Sequence, residues 1–232
     1  MRLLVTRPDP DGARTAAALR ERGHEVLVAP MLHIAPVADP PIGDGPWAAV
    51  ALTSAHAIAA VAVRPRLAAV PVFTVGGKTA KAARAAGLSD VRSADGDVHA
   101  LAEAIAAVLP GATDPVLYLA GEERAGDLEG LLAGHGLAVK TVVVYRAVAQ
   151  TRLPDAVRAA LAGGAIDAVL HYSRRTAEAF LAASTVAGLE AVVRSTRHLC
   201  LSAQVAAALR DTGAQDVRVA VHPDEANLFA LL

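Results

Sequence analysis

Short apolar runs alternate along the chain with stretches in which apolar residues recur at helical spacing. The runs predict strands, and the stretches between them predict helices. The predicted strands are Leu3–Thr6, Glu25–Ala29, Ala48–Thr53, Val72–Val75, Val116–Ala120, Lys140–Val144, Ala168–Tyr172, His198–Ser202 and Val217–Val221. The predicted helices are Gly12–Arg22, Lys78–Ala86, Leu101–Val108, Asp127–Ala133, Asp155–Leu161, Thr176–Ala182 and Val205–Asp211. Because the strands are almost continuously apolar, we expect parallel sheets covered by helices on both faces, and hence an α/β fold.

The chain also contains an internal repeat. Val75–Arg92 aligns without gaps with Leu201–Arg218 and shares an arginine, a glycine and an Asp-Val-Arg triplet with it. A second pair relates the strands that precede Ser54 and Ser173. A third and weaker pair relates residues 19–26 to residues 132–139. In chain order the repeated segments are a, b, a′ and b′, which predicts two similar α/β lobes.

Two segments break this pattern and are interpreted as linkers. Residues 33–41 contain three prolines, which exclude a helix or a central strand, and residues 147–154 form the other break. With these linkers, residues 1–35 and 150–232 would make one lobe, and residues 36–149 a second lobe inserted into it. The repeat alone also permits a simple head-to-tail division, so both arrangements remain open.

Composition narrows the function classes. The net charge of −1 gives no basic surface for nucleic acid. The apolar runs are far shorter than the roughly 20 residues that cross a bilayer. Cys200 is the only cysteine, which excludes intrachain disulfides and cysteine-based zinc sites. We therefore expect a cytoplasmic protein that binds neither nucleic acid nor membrane.

The run Val75-Gly76-Gly77-Lys78-Thr79 lies where a strand turns into a helix and ends like a phosphate-binding loop. A complete loop needs a further glycine at the position of Val72, and the GxGxxG fingerprint is also absent. Free N–H groups at a helix start still favour an anion, such as a carboxylate. A tight turn without a ligand remains the alternative.

Hydroxyl, phenol and guanidinium groups occur at other strand ends. Ser54 and Ser173 stand at equivalent points of the repeat, at the sheet edge where α/β proteins bind ligands, although both are equally suited to capping helices. Arg174 and Arg175 could pair with carboxylates or be solvated. Tyr145 precedes the second linker, where a phenol could pack or donate a proton. The histidines form no HxH or HExxH pair, and no GxSxG motif is present, so neither a metal site nor a hydrolase triad is predicted.

Taken together, these motifs resemble those of the uroporphyrinogen-III synthase family over essentially the whole chain. The matching segments are Val5–Pro8, Thr53-Ser54, Phe73–Ala80, Tyr118–Glu122, Val144–Arg146, Tyr172-Ser173, Asp216-Val217 and the closing Leu228–Leu232 helix. The resemblance implies two flavodoxin-like α/β lobes, one inserted in the other, joined by a two-stranded linker with a cleft between them. It further implies hydroxymethylbilane as the substrate, a ring closure that inverts ring D, and no metal or organic cofactor.

Carried over position by position, the resemblance implies a proton-donating Tyr145. It also implies substrate contacts at Ser54, Gly76, Thr79 and Ser173, to which we add Arg174. The family pattern is broken in the second lobe, where Val205 replaces a threonine, so Ser202 or Gln204 is expected to supply the missing contact. His56 also stands where relatives often carry arginine.

A monomer is expected, with transient contact with the upstream hydroxymethylbilane synthase. The rival interpretation is a non-catalytic two-lobe sensor of a small anionic ligand. A nucleotide-using α/β enzyme is a further rival, against which the incomplete phosphate loop argues.

Overall fold

The computed structural model describes residues 1–124 and 126–232. Its strands are β1 (Arg2–Val5), β2 (Glu25–Val28), β3 (Leu32–Pro36), β4 (Ala49–Leu52), β5 (Val72–Thr74), β6 (Val91–Ser93), β7 (Val116–Gly121), β8 (Val139–Ala149), β9 (Ala168–His171), β10 (Arg197–Cys200) and β11 (Asp216–Val219). Its α-helices are α1 (Asp11–Glu21), α2 (Ile58–Ala62), α3 (Pro65–Ala68), α4 (Gly77–Ala85), α5 (Val98–Val108), α6 (Leu128–Gly134), α7 (Asp155–Ala162), α8 (Arg174–Val186), α9 (Glu190–Ser195), α10 (Ala203–Arg210) and α11 (Glu225–Phe229). A short 3₁₀ helix spans Ala55–Ala57.

The chain divides into two compact units. Unit 1 comprises Met1–His33 and Val148–Leu232, and unit 2 comprises Ile34–Ala147. The chain passes from one to the other in β3 and in β8, which are neighbours in the same sheet.

Each unit is built on its own sheet. Unit 1 has a five-stranded sheet in the order β11-β10-β9-β1-β2, and its neighbouring strands are parallel. This is the flavodoxin-like order. The six-stranded sheet of unit 2 has the order β3-β8-β7-β4-β5-β6, parallel from β8 to β6. The predicted α/β fold with parallel sheets is therefore confirmed.

The two sheets have different strand orders when the strands are numbered along the chain, but the internal repeat shows that they are built from equivalent strands. Strands β4, β5 and β6 lie side by side in unit 2, as the repeat-equivalent β9, β10 and β11 do in unit 1. The second matching set is β7 and β8 in one sheet and β1 and β2 in the other, and β3 is an additional edge strand in unit 2. Each unit thus combines one copy of each repeated segment.

The repeated arginines and aspartates have structural roles. Arg84 donates a hydrogen bond to the carbonyl of Val91 at 2.7 Å, and Arg210 makes the equivalent bond to Val217 at 3.4 Å. In each copy of the Asp-Val-Arg triplet the arginine also pairs with the aspartate two residues earlier, at 3.0 Å. The bonds of Arg84 and Arg210 hold the last strand of each copy to the preceding helix, which explains why these arginines recur.

Helices cover both faces of each sheet with apolar side chains. In unit 2, one buried cluster contains Val50, Leu52, Leu117 and Val142, and a second on the other face contains Ala49, Ala51, Val116 and Tyr118. Alternate residues of a strand face opposite sides of a sheet, so buried residues on both faces require the continuous apolar runs seen in the sequence.

The predicted pattern omits elements at the sheet margins. β3 begins one residue before the predicted linker 33–41 and overlaps its first part, and its edge position tolerates the proline that ends it. β6 is an edge strand of three residues, too short to produce a recognisable apolar run. The second predicted linker, 147–154, begins within β8, which extends to Ala149.

Candidate functional site

A cavity of about 520 Å³ opens in unit 2 where several strands reach their carboxyl ends. This is the edge at which parallel α/β sheets bind ligands. β4, β5, β7 and β8 each contribute residues in or just beyond the strand, and the start of α5 completes the wall. The lining residues are Thr53, Val75, Asp97, Val98, His99, Tyr118, Glu123, Arg124, Gly126 and Tyr145.

Two phenols face this cavity, and their surroundings differ. Tyr118 is buried in β7, and its hydroxyl lies 3.1 Å from the hydroxyl of Thr53. Burial raises the pKa of Tyr118; the bond to Thr53 and the charge of Arg124 act in the opposite sense, and the neighbouring Tyr145 adds to the rise. Tyr118 is therefore a neutral phenol at physiological pH. Tyr145 is only partly buried, and its ring centroid lies 5.5 Å from that of His56.

Ionisable side chains line the cavity at its exposed side. Asp97, His99, Glu123 and Arg124 are all exposed to solvent. The Asp97 carboxylate accepts hydrogen bonds from the backbone N–H groups of His99 and Ala100, at 2.9 and 3.1 Å, and these bonds lower its pKa. Of the lining residues at this rim, Arg124 has a guanidinium, which stays positively charged and can pair with a carboxylate.

The three serines named from the sequence all cap helices. Ser54 accepts from the N–H of His56 at 3.3 Å, Ser173 from Thr176 at 3.1 Å, and Ser202 from Val205 at 3.4 Å. Each serine hydroxyl still has one proton to donate.

The proton of Ser173 has an acceptor within the protein. The Thr176 hydroxyl donates to the Ser173 carbonyl at 2.9 Å, so the Ser173 hydroxyl donates to Thr176, also 2.9 Å away. For Ser54 and Ser202, the part of the chain that the structure describes contains no such acceptor. The hydroxyls of Ser54 and Ser202 can therefore donate to a carboxylate more readily than that of Ser173.

Gly76 and Thr79 lie at the start of α4. Gly76 precedes the helix in an extended conformation, and no side chain caps the first turn. The N–H groups of that turn are therefore directed to solvent or a ligand. Thr79 is 7% exposed and its repeat equivalent, Val205, is 3% exposed. Both positions face the helix-covered core, which explains why valine fits at 205.

Arg174 is the first residue of α8 and is exposed. Its guanidinium pairs with Glu178 one turn later at 2.7 Å. The hydrogen bond and charge of Glu178 raise the pKa of Arg174. An exposed pair of this type contributes little to stability, so Arg174 can leave Glu178 for another carboxylate at small cost.

A second polar cluster lies in unit 1 beyond the end of β1. Glu225 accepts hydrogen bonds from the hydroxyls of Thr15 at 2.6 Å and Tyr172 at 2.8 Å, and pairs with Arg7 at 3.5 Å. The Arg7 guanidinium also pairs with Asp11 at 2.8 Å and stacks 4.6 Å from the centre of the Tyr172 ring. Burial is the main reason that the pKa of Tyr172 is raised. This cluster fastens α11 to the segment that follows β1.

Comparison with known proteins places the chain in a family. The family model described as "Uroporphyrinogen-III synthase HemD" matches residues 13–230. The chain belongs to the uroporphyrinogen-III synthase family. Members of this family are cyclising lyases, so the chain is an enzyme that acts on a small molecule. A comparison with curated protein sequences gives no match.

A solved structure of a uroporphyrinogen-III synthetase shares the fold, and a second solved structure has a lower similarity score. A crystal structure of uroporphyrinogen-III synthetase from Helicobacter pylori 26695 is 18% identical, with 100% of this chain and 98% of that chain covered and a TM-score of 0.55. A crystal structure of the wild-type synthase from Thermus thermophilus is 21% identical, with 100% and 94% covered and a TM-score of 0.43.

The structure brings some of the residues named from the sequence together. Tyr145 lines the unit 2 cavity, and Ser54 and Gly76 directly follow two lining residues, Thr53 and Val75. Ser173, Arg174 and Ser202 lie in unit 1, at the carboxyl ends of β9 and β10.

Sequence reasoning missed other residues of the cavity. Tyr118 lies in a buried strand whose other residues are apolar, so the sequence pattern indicates a core residue. In the structure its hydroxyl reaches the cavity near the end of the strand. Asp97 and His99 come from a helix start that no motif marked. Two features of the sequence could have identified Tyr118 as a candidate site residue. It lies in one of the segments that match the family, and it is one of only three tyrosines.

Two kinds of feature are absent from the described residues. Within residues 1–124 and 126–232, no three or more His, Cys, Asp or Glu side chains are arranged to hold a metal ion. No helix in the same ranges has both the length and the apolar character to cross a membrane.

The Glu225 cluster yields a stability prediction. We expect Glu225→Ala to lower the free energy of unfolding by about 2 kcal/mol, because it leaves the Thr15 and Tyr172 hydroxyls without their acceptor and removes one of the two carboxylates that pair with Arg7. Glu178→Ala removes one partner of an exposed pair and should cost less than about 0.5 kcal/mol. Urea unfolding of both variants at neutral pH measures the difference; equal losses would show that the cluster does not stabilise unit 1.

Proposed function

We propose that this enzyme converts hydroxymethylbilane into uroporphyrinogen III, the ring-closing step of tetrapyrrole biosynthesis that serves haem, sirohaem, cobalamin and chlorophyll. The observation that carries the proposal is the match of the family model to residues 13–230. The position of Tyr145 in a cavity at the carboxyl edge of a sheet supports it.

The proposed reaction begins with loss of the ring A hydroxyl. Tyr145 donates its phenol proton to that hydroxyl, the carbon–oxygen bond breaks, and water leaves. The ring A nitrogen gives up its proton, which restores the phenol and leaves a neutral azafulvene. A positioned acid of this kind typically accelerates such a step by about 100- to 10,000-fold.

Ring D then attacks the azafulvene through its substituted carbon. This forms a spiro intermediate, which fragments and recloses with ring D inverted. Because the azafulvene is reactive without help and closes unaided to the type I isomer, the protein's task is mainly geometric. It must hold the substituted carbon of ring D within reach and prevent direct closure.

The substrate contacts are proposed from both units. Every pyrrole ring carries acetate and propionate groups, whereas the protein has a net charge of only −1. Hydroxyls and backbone N–H groups at helix starts can bind these carboxylates without an equal number of buried cations. The proposed contacts are Ser54, Gly76 and Thr79 in unit 2, and Ser173, Arg174 and Ser202 in unit 1. No metal or organic cofactor has a step in this scheme.

Freshly prepared hydroxymethylbilane tests the proposal. Purified protein is mixed with it in the absence of added metal or nucleotide, the products are oxidised, and the type I and type III isomers are separated by chromatography. Type III product above the no-enzyme control would support the proposal. Type I product alone would overturn it, and tight binding of the bilane without turnover would then favour the ligand-sensor interpretation.

The cellular setting forms a separate proposal: a cytoplasmic monomer that receives its labile substrate in transient contact with hydroxymethylbilane synthase. The single cysteine, which is buried, is compatible with a reducing compartment. Analytical ultracentrifugation of the protein, alone and with that synthase, measures both its oligomeric state and the contact.

A further inference from the structure

Tyr145 reaches the cavity through an irregularity of β8. Pairing with β7 is regular up to Ala120 opposite Val143, but the next pair joins Gly121 to Tyr145. Val144 is therefore the extra residue of a β-bulge. Successive residues of a regular strand face opposite sides of a sheet, yet Val144 and Tyr145 both pack against the same apolar cluster. The bulge thus redirects the Tyr145 side chain.

The residue opposite the redirected ring has no side chain. A Cβ atom built on Gly121 would lie 2.7 Å from Cε2 and Cζ of Tyr145 and 2.9 Å from its hydroxyl oxygen. Carbon atoms in contact prefer about 3.5–4.0 Å, so the phenol end of Tyr145 occupies the space that any side chain at 121 would need.

The backbone of Gly121 does not itself require glycine. Its φ is not in the positive range that characterises nine other glycines of the described chain. Alanine could adopt its conformation without strain. Glycine is therefore needed at position 121 because it leaves room for the Tyr145 ring, and not because of its backbone conformation.

We propose that Gly121 is the positioning residue of Tyr145, allowing the phenol to lie across the backbone of β7 at the wall of the cavity. This inference rests on the proposed function of Tyr145 as the proton donor. A methyl group at 121 pushes the ring away by about 1 Å, and a misplacement of that size can slow a reaction by about 100-fold. Substrate binding depends on other groups, so KM changes little.

Gly121→Ala tests the inference with two readouts. We expect kcat for type III formation to fall by about 100-fold with little change in KM. In protein labelled with ¹³C in its tyrosine rings, the Tyr145 signal, identified by its absence in Tyr145→Phe, should move while that of Tyr172 in unit 1 stays. Gly96→Ala is the matched control, because its new Cβ meets Ala100 at the same 2.7 Å and no atom of Tyr145 within 4 Å; it should change neither readout.

A double variant separates positioning from a general structural effect. If Gly121 acts through Tyr145, adding Gly121→Ala to Tyr145→Ala should slow the reaction no further. Should Gly121→Ala alone fail to fold, recovery of a folded protein in the double variant would support the overlap, and failure of both would overturn it. An unmoved Tyr145 signal, or additive losses in kcat, would also overturn it.

The readouts also distinguish the inference from the function on which it rests. A moved Tyr145 signal together with wild-type kcat in Tyr145→Phe would support the positioning contact and overturn the proton-donor role. Type I product alone from the unmodified protein would overturn the proposed function, while the signal shift would still decide whether Gly121 positions the ring.

Discussion

Tyr145→Phe should lower kcat for uroporphyrinogen III formation by about 100- to 1000-fold, because the substitution removes the proposed proton donor and keeps the ring. The ring fills the same space against His56 and Gly121, so substrate binding and KM should change little. Because bilane also closes unaided to the type I isomer, the product mixture should shift towards type I. Chromatography of the oxidised products, with rates taken from the type III peak, measures both effects.

Arg175→Ala is the comparison variant for Tyr145→Phe. Arg175 lies in the first turn of α8, in unit 1, and it offers no proton to a leaving hydroxyl at neutral pH because a guanidinium stays charged. We expect it to slow turnover far less than Tyr145→Phe. Equal rates for the two variants would count against the proton-donor role of Tyr145.

The central strands could be predicted from the sequence for a physical reason, and the paired lobes could be predicted from the internal repeat. A strand covered on both faces must be apolar throughout, so β4, β7 and β9 stand out in the chain without knowledge of their neighbours. Edge strands carry no such requirement. β6 consists of Val91, Arg92 and Ser93, and only its pairing with β5 identifies it as a strand.

The site was harder to predict, because its geometry depends on pairing between distant residues. The hydroxyls at Ser54 and Ser173 were visible from the repeat, since capping and ligand binding both favour serine at a helix start. The bulge in β8 was not visible, because nothing in the Val144-Tyr145 dipeptide shows that Gly121 lies opposite. The bond between Tyr118 and Thr53 likewise joins two strands that are distant in sequence.

A buried histidine pair in unit 1 gives the largest expected effect on stability. His171 and His198 are both fully buried, and Nε2 of His171 lies 3.1 Å from Nδ1 of His198. Nε2 of His198 lies 2.9 Å from the carbonyl of Val193, which can only accept, so that nitrogen carries a proton. The proton between the rings therefore belongs to His171. Its Nδ1 is a buried acceptor with no hydrogen-bond partner among the described residues.

Burial lowers the pKa of both histidines, that of His171 strongly, and the nearby His198 lowers the His171 pKa further. The unfolded chain takes up protons on both rings as the pH falls through about 6.5, whereas the folded protein does not. Stability is therefore fully present above about pH 6.5 and is lost below it. The slope should approach about 1.4 kcal/mol per pH unit for each ring that stays neutral in the folded protein.

Urea unfolding followed by circular dichroism between about pH 5 and pH 8 measures this slope, above the range in which carboxylates take up protons. The double variant His171→Leu/His198→Gln removes both titrating rings and keeps an amide donor for Val193. We expect a much shallower fall in its free energy of unfolding below about pH 6.5. The control is His222→Gln, at an exposed position, which should follow the unmodified protein. The double variant contains neither buried histidine. If it loses stability as steeply as the unmodified protein below about pH 6.5, groups other than His171 and His198 cause the acid sensitivity.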